Sequence, residues 1–342
     1  MMKVLVSLFY FFITFIGIAQ NLADCYESVK SSVVVINVLS VSPKTTKNKL
    51  TLVAKSLQGS GVLISEKGII WTASHIVQAA ELVKVEFLNG AIYEAEVLTN
   101  NPLADIALIK IKGNFILKDV KVAKIGNSDM LRIGEDIFIL GAPYGLKQSI
   151  SKGILSGRHI HKGFSDDFYN IEFLQTDAAI NHGSSGGPMF NIKGEVVGIT
   201  NSIYTLSGGF NGIGFAVSSN TAKKLLKEEP TIWTGMESII ITGNIAKVLN
   251  VPKESGLLIL NLSSKGMANK IGLRAGTIDA TIDGLEIIIG GDIILDFAGT
   301  DFSTFDFRSK IKKKLKEYDK GDVIPITILR NGKILIIEFE KE

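Results

Sequence analysis

The feature that most constrains this chain is a succession of short Val/Ile/Leu-rich runs, each about one strand long, punctuated by glycine and polar turns. Ser32 to Leu39, Gly61 to Ala73, Val83 to Leu98, Asp105 to Ile111, Asp136 to Pro143 and Gly194 to Thr200 are examples. β-branched residues suit a pleated surface, and "LNGA" (Leu88 to Ala91) between two such runs signals a hairpin. Helical periodicity is scarce before residue 218. Many short strands at close spacing predict a mainly β barrel or sandwich. Thirty-four glycines against seven prolines fit a turn-rich β protein, not disorder. With a single cysteine, Cys25, no intrachain disulfide can form and the fold must rest on its core.

The texture changes after Ser218. "SSNTAKKLLKEEP" reads as a short helix with Ala222, Leu225 and Leu226 on one side, stopped by Pro230. It divides a first domain over residues 20–220 from a linker over 221–235 and a second domain over 236–342. The second domain carries strands at Gly256 to Leu262, Asp292 to Gly299 and Val323 to Glu340, with a hairpin turn at "RNGK" and a helix from about Thr304 to Glu317. This mixture suits one small α+β module. The length of 342 residues fits this division.

At the N-terminus one lysine precedes an apolar stretch from Val4 to Ala19, with Gly17 and Ala19 at the spacing a signal peptidase reads. Residues 1–19 are expected to be a signal peptide cleaved after Ala19. The competing reading is an uncleaved anchor, for which the stretch is short. "LADC" resembles a lipoprotein signal, but Asp24 occupies the place where a small residue is needed, so Cys25 reads as incidental. Either way the folded part lies outside the cytoplasm, in the periplasm or cell envelope. A net charge of +3 is too small to argue for nucleic acid or an anionic membrane surface as a partner. Membrane association is expected only through the N-terminal segment.

The chemistry centres on "INHGSSGGPMF", Ile180 to Phe190. A serine between glycines can stand clear of the backbone beside amides aimed at a developing negative charge. Such a serine needs a base, and neutral imidazole serves near neutral pH. His75, in "WTASHIV", ends an apolar strand run. Asp105, in "NPLADIALIKI", directly precedes another and can orient the imidazole. Alone, each residue reads as structural. Together, in the order His75, Asp105, Ser185, they make a candidate triad. Gly183, Ser184 and Ser185 form the candidate oxyanion-hole segment, with the amides of Gly183 and Ser185 facing the substrate carbonyl.

These residues, with "GSGVLIS" (Gly59 to Ser65), "LGAPYGL" (Leu140 to Leu146), "SKGILSG" (Ser151 to Gly157), "LQTDAAINHGSSGGPMFN" (Leu174 to Asn191) and "GIGFAVSSN" (Gly212 to Asn220), resemble the HtrA/Deg serine proteases in family order. The resemblance implies a chymotrypsin-like double β-barrel with its site between the barrels, followed by a PDZ domain. It places the primary specificity pocket at Ala179, Ile180, Ile213, Gly214 and Phe215. With no acidic residue among them, cleavage after small or medium aliphatic residues is expected; Asp177 is not the pocket floor. It further implies unfolded or misfolded protein substrates and a homotrimer.

In the second domain the resemblance implies that Gly256, Leu257, Leu258 and Ile259 catch the carboxylate of a peptide C-terminus. The strand they begin would accept the peptide by β-addition, with Phe307, Ile311 and Leu315 lining the other wall. His182 lies too close to Ser185 in a tight loop to serve as its base, and His159 and His161 read as loop residues, not a metal pair. No metal or cofactor is expected. No G-x-x-x-x-G-K-[ST] run is present, so action is expected to be ATP-independent. The stretch before "GSG" is moderate, so no long lid is expected there. A non-catalytic peptide-binding scaffold and a regulatory protease that cuts one membrane signalling protein remain the alternatives.

Overall fold

The computed structural model describes residues 21–47, 49–162, 170–203, 210–304 and 307–341. The expected signal peptide or anchor, residues 1–19, lies outside them.

A helix α1 (Leu22–Val29) leads into β1 (Val33–Thr46), β2 (Lys49–Ser65), β3 (Ile69–Thr72), helix α2 (Ser74–Val77), β4 (Leu82–Glu86), β5 (Ile92–Asn101) and β6 (Ile106–Ile111). The six strands close into a barrel in the order β1-β2-β3-β6-β5-β4. A second set follows: β7 (Lys124–Ile125), β8 (Asp136–Gly141), β9 (Ser149–Lys162), β10 (Asn170–Thr176), β11 (Pro188–Asn191), β12 (Glu195–Ile203) and β13 (Gly214–Ser218). Its sheet runs β11-β8-β9-β10-β13-β12-β7, and the pairing of β11 with β12 closes six of these strands into another barrel. This is the chymotrypsin-like arrangement.

Strand alternation explains why the sequence reads as continuous apolar runs. Val34, Ile36 and Val38 point into the first barrel with Leu63, Ile70 and Val85. Ile137 and Ile139 point into the second with Leu174 and Met189. The alternate residues Val33, Val62 and Trp71 meet Phe138, Leu140, Phe190 and Ile199 in a core shared by the two barrels. There Phe138 and Phe190 stack at 5.2 Å. Each such large apolar side chain contributes about 1.5–3 kcal/mol by leaving water.

Cys25 belongs to this shared core and is not incidental. It is buried on α1, and its thiol donates to the Ile192 carbonyl at 2.9 Å. Burial and the adjacent Asp24 raise its pKa, which suits a structural thiol.

The segment after β13 departs from the expected linker. Helix α3 (Ser219–Lys223) continues into a wider turn over Lys224–Glu228, and Ala222, Leu225 and Leu226 are buried in the shared core. Residues 221–228 therefore belong to the barrels. The remainder runs along the first barrel: Thr231 bonds Thr99, and the Trp233 indole donates to the carbonyls of Val77 and Gln78.

The second unit comprises β14 (Met236–Thr242), α4 (Gly243–Val248), β15 (Ser255–Leu262), α5 (Met267–Lys270), β16 (Ile278–Ile282), β17 (Leu285–Ile289), β18 (Ile293–Phe297), α6 (Phe307–Leu315), β19 (Val323–Arg330) and β20 (Lys333–Glu340). Its main sheet runs β14-β15-β18-β19-β20, and β16 and β17 form a separate pair. Asn331 and Gly332, both at positive φ, make the tight turn between β19 and β20. Asp292, 1% exposed, is held by the Arg330 guanidinium at 2.6 and 2.7 Å.

The stretch before "GSG" is more prominent than expected. β1 and β2 pair from Val33 opposite Val62 out to Thr46 opposite Lys49, forming a long arm. The arm touches the second unit, where the Thr45 amide donates to the Thr277 carbonyl at 2.6 Å and Lys44 pairs with Asp279.

Candidate active site

His75 and Asp105 are neighbours because β3 and β6 are antiparallel. Thr72, at the end of β3, faces Ala107, near the start of β6. The chain leaves β3 into α2, which carries His75, and enters β6 directly after Asp105. Asp105 Oδ2 lies 2.7 Å from His75 Nδ1, and Oδ1 accepts the His75 backbone N–H at 2.9 Å. One carboxylate thus fixes both ring and backbone. Asp105 sits at φ +53, a left-handed conformation that aspartate tolerates better than most residues. Partial burial disfavours the charged imidazole, but the hydrogen bond and negative charge of Asp105 outweigh it, so the His75 pKa lies above its ordinary value.

Ser185 lies on the loop between β10 and β11. Gly186 N–H donates to the Thr200 carbonyl at 2.7 Å, and Thr200 Oγ1 donates to the Ser184 carbonyl at 2.6 Å. A Cβ on Gly186 would lie 2.4 Å from Thr72 Oγ1 and 2.7 Å from Ala73 N. The loop therefore rests directly on the segment leading to His75. Among the described residues no hydrogen bond joins Ser185 Oγ to the imidazole.

The amides of this loop fall into two sets. Those of Ser184, Gly186 and Gly187 donate to the carbonyls of Asn181, Thr200 and Ser184. Those of Gly183 and Ser185 have no such partner among the described residues. Ser184 thus belongs to the segment without offering its amide, which corrects its inclusion as an oxyanion-hole member. The His182 carbonyl accepts from the Tyr144 amide at 2.8 Å. Because a trans peptide sets C=O and N–H on opposite sides, the Gly183 N–H is turned the other way. Gly183 has φ +95, and a Cβ there would sit 2.4 Å from the Ala142 carbonyl oxygen.

Ile180 and Gly214 come together: a Cβ on Gly214 would be 2.7 Å from Ile180 Cδ1 and 3.4 Å from the Phe210 ring. Phe210 was not singled out from the sequence, having no motif to mark it. Ile213 is half-buried beside them, and Ala179 is exposed. Phe215 does not share this wall. It follows Gly214 on β13, points to the opposite face, and meets the His159 ring edge-on at 5.8 Å. Asp177 accepts from the Ile154 amide at 2.8 Å. His182 is exposed, with its ring against Tyr144. His159 bonds Gln175 at 2.8 Å, and the His161 side chain lies outside the described residues.

In the second unit, Gly256, Leu257, Leu258 and Ile259, expected as a carboxylate-catching loop, lie inside a strand instead, and that strand has no free side for β-addition. These residues begin β15, which is paired with β14 on one side and β18 on the other. β14 is the strand at the edge of the sheet on that side.

A family model for the trypsin-like peptidase domain matches residues 59–199. A probable periplasmic serine endoprotease, DegP-like, of Pseudomonas fulva (strain 12-X) is 36% identical over 70% of this chain and 50% of its own length. Its counterpart in Pseudomonas putida (strain GB-1) is 34% identical over 73% of this chain and 52% of its own. The chain thus spans about half the length of these relatives. Among solved structures, the HtrA-type protease AlgW with a decapeptide superposes with a TM-score of 0.52 at 25% identity, covering 94% of this chain and 98% of that one. With two closed barrels, a matching peptidase domain and relatives of this kind, the chain is similar to the HtrA/Deg family of trypsin-like serine proteases.

Proposed function

We propose that this chain is an exported, ATP-independent serine endoprotease of the periplasm or cell envelope. The observation that carries the reading is the oriented His75–Asp105 pair beside a loop whose spare amides are those of Gly183 and Ser185. In this reading His75, as neutral base, takes the proton from Ser185 Oγ as that oxygen attacks the scissile carbonyl. The resulting oxyanion accepts hydrogen bonds from the Gly183 and Ser185 amides. His75 then gives its proton to the leaving amine, and water, activated by the same imidazole, releases the acyl group. Asp105 stays ionised and steadies the imidazolium.

Ile180, Gly214 and Phe210 support a small apolar pocket, and with it cleavage after small or medium aliphatic residues of unfolded proteins. The second unit is proposed to be a PDZ domain that binds peptide C-termini. The edge strand β14, with α6 opposite, takes the peptide-accepting role expected of β15. The assembly is proposed to be a homotrimer, after the family.

A fluorophosphonate probe is expected to label Ser185, located by mass spectrometry. Casein turnover should fall about a million-fold in Ser185→Ala. A chain that binds casein, never cleaves it and takes no label would be a peptide-binding scaffold instead.

A further inference from the structure

The "GSG" run at Gly59–Gly61 belongs to the first barrel, yet its serine reaches the loop of the second. Ser60 is fully buried on β2. Its Oγ donates to the Gly183 carbonyl at 2.7 Å and accepts from the Ala142 amide at 2.9 Å. Its N–H donates to the Ser185 carbonyl at 2.8 Å. Its own carbonyl accepts from Thr72 Oγ1 at 2.8 Å, on the strand that leads to His75. The flanking glycines permit this approach. A Cβ on Gly59 would lie 2.9 Å from Ile76 Cγ1 and 3.1 Å from the Ser185 carbonyl oxygen, and one on Gly61 would lie 2.7 Å from Ile36 Cδ1.

The consequence is geometric. The Gly183 N–H and the Ser185 N–H lie on peptide planes, and the plane after each is clamped by Ser60. A peptide plane that can rotate carries its neighbours with it, and two amides must converge on one oxygen to stabilise it. We infer that Ser60 is a positioning residue of the proposed reaction: one buried hydroxyl and amide of the first barrel hold the oxyanion-binding loop of the second in register with His75. The inference rests on the protease reading. Ser60 touches no substrate atom in it and acts through the loop.

The test uses the full chain, a fluorogenic peptide with valine before the scissile bond, and a peptide boronate whose tetrahedral adduct places an oxygen between the two amides. In Ser60→Ala, kcat is expected to fall about 10–100-fold with KM within about twofold, below the loss for outright removal of an oxyanion donor. Boronate affinity should fall by the same factor as kcat/KM. Ser60→Cys, whose thiol occupies the same place but donates weakly, should lie between, and it carries the test if the alanine variant does not fold. A kcat unchanged in either folded variant would overturn the inference. So would a loss of kcat with boronate affinity intact, because that pattern shows the two amides still aligned without the Ser60 hydroxyl. A wild-type chain that cleaves nothing and takes no fluorophosphonate would overturn the protease reading, and this assignment with it.

Discussion

The two halves of the candidate site are held by different means. In the first barrel one carboxylate grips both the ring and the backbone of His75. In the second barrel the work is done on carbonyls. Those of His182, Gly183, Ser184 and Ser185 accept from Tyr144 N, Ser60 Oγ, Thr200 Oγ1 and Ser60 N. An ionisable ring can be oriented by charge. A pair of backbone amides can be aimed only through the far ends of their peptide units, and only where glycine leaves room. The first half should therefore break when a charge is removed, and the second when a carbonyl loses its donor or an added atom crowds the loop.

The largest effect argued from this contrast is on the first half. Asp105→Asn keeps the side chain's shape but removes its charge and favours the wrong imidazole tautomer. We expect kcat to fall about 10⁴-fold with little change in KM, measured by hydrolysis of the same fluorogenic peptide. A loss below tenfold would show that the carboxylate does not orient the base.

Next comes the second half. Gly183→Ala places a methyl 2.4 Å from the Ala142 carbonyl oxygen at φ +95. The loop must shift, and kcat should drop about 10²–10³-fold, with a cost of about 1–3 kcal/mol in stability from the strained backbone. Gly134→Ala sharpens the comparison. It sits at φ +89 with nothing within 4 Å of the added Cβ. It should carry the strain alone, lowering Tm while leaving kcat unchanged. If both variants lost activity alike, strain and not the shape of the loop would be responsible.

What the sequence made legible follows the same divide. His75 and Asp105 could be found because each adjoins an apolar strand run and short motifs mark them. Strand pairing then brings the two run ends together. Ser185 announced itself through its glycines. The role of Ser60 was hidden, because nothing along the chain says that a serine of β2 will meet carbonyls more than a hundred residues away. Phe215 was misplaced by one position of alternation, since its motif does not reveal which face of β13 borders Ile180. The reading of Gly256–Ile259 failed for a tertiary reason. "GLLILNL" marks a strand, but whether that strand lies at an edge depends on β14 and β18, which claim both its sides. Local chemistry was readable, and the partners of backbone groups were not.

The smallest effect is a shift along the pH axis. Burial pulls the His75 pKa down; the hydrogen bond and charge of Asp105 pull it up and prevail, leaving it above the ordinary histidine value of 6.5. As a base the imidazole must be neutral, so kcat/KM should rise with pH through this raised pKa. The stability sign is opposite. A group whose pKa is higher folded than unfolded favours the fold fully below its unfolded pKa, and that contribution is lost as pH rises through the folded value. The window in which the site becomes active is therefore the window in which His75 stops favouring the fold. Asp105→Asn removes both raising causes and leaves burial, so the midpoint should move below the ordinary value. Titration of the His75 ring by NMR in a Ser185→Ala background, with and without Asp105→Asn, reads this directly. A midpoint that Asp105→Asn leaves in place would mean that the first half of the site owes its basicity to its surroundings and not to its carboxylate.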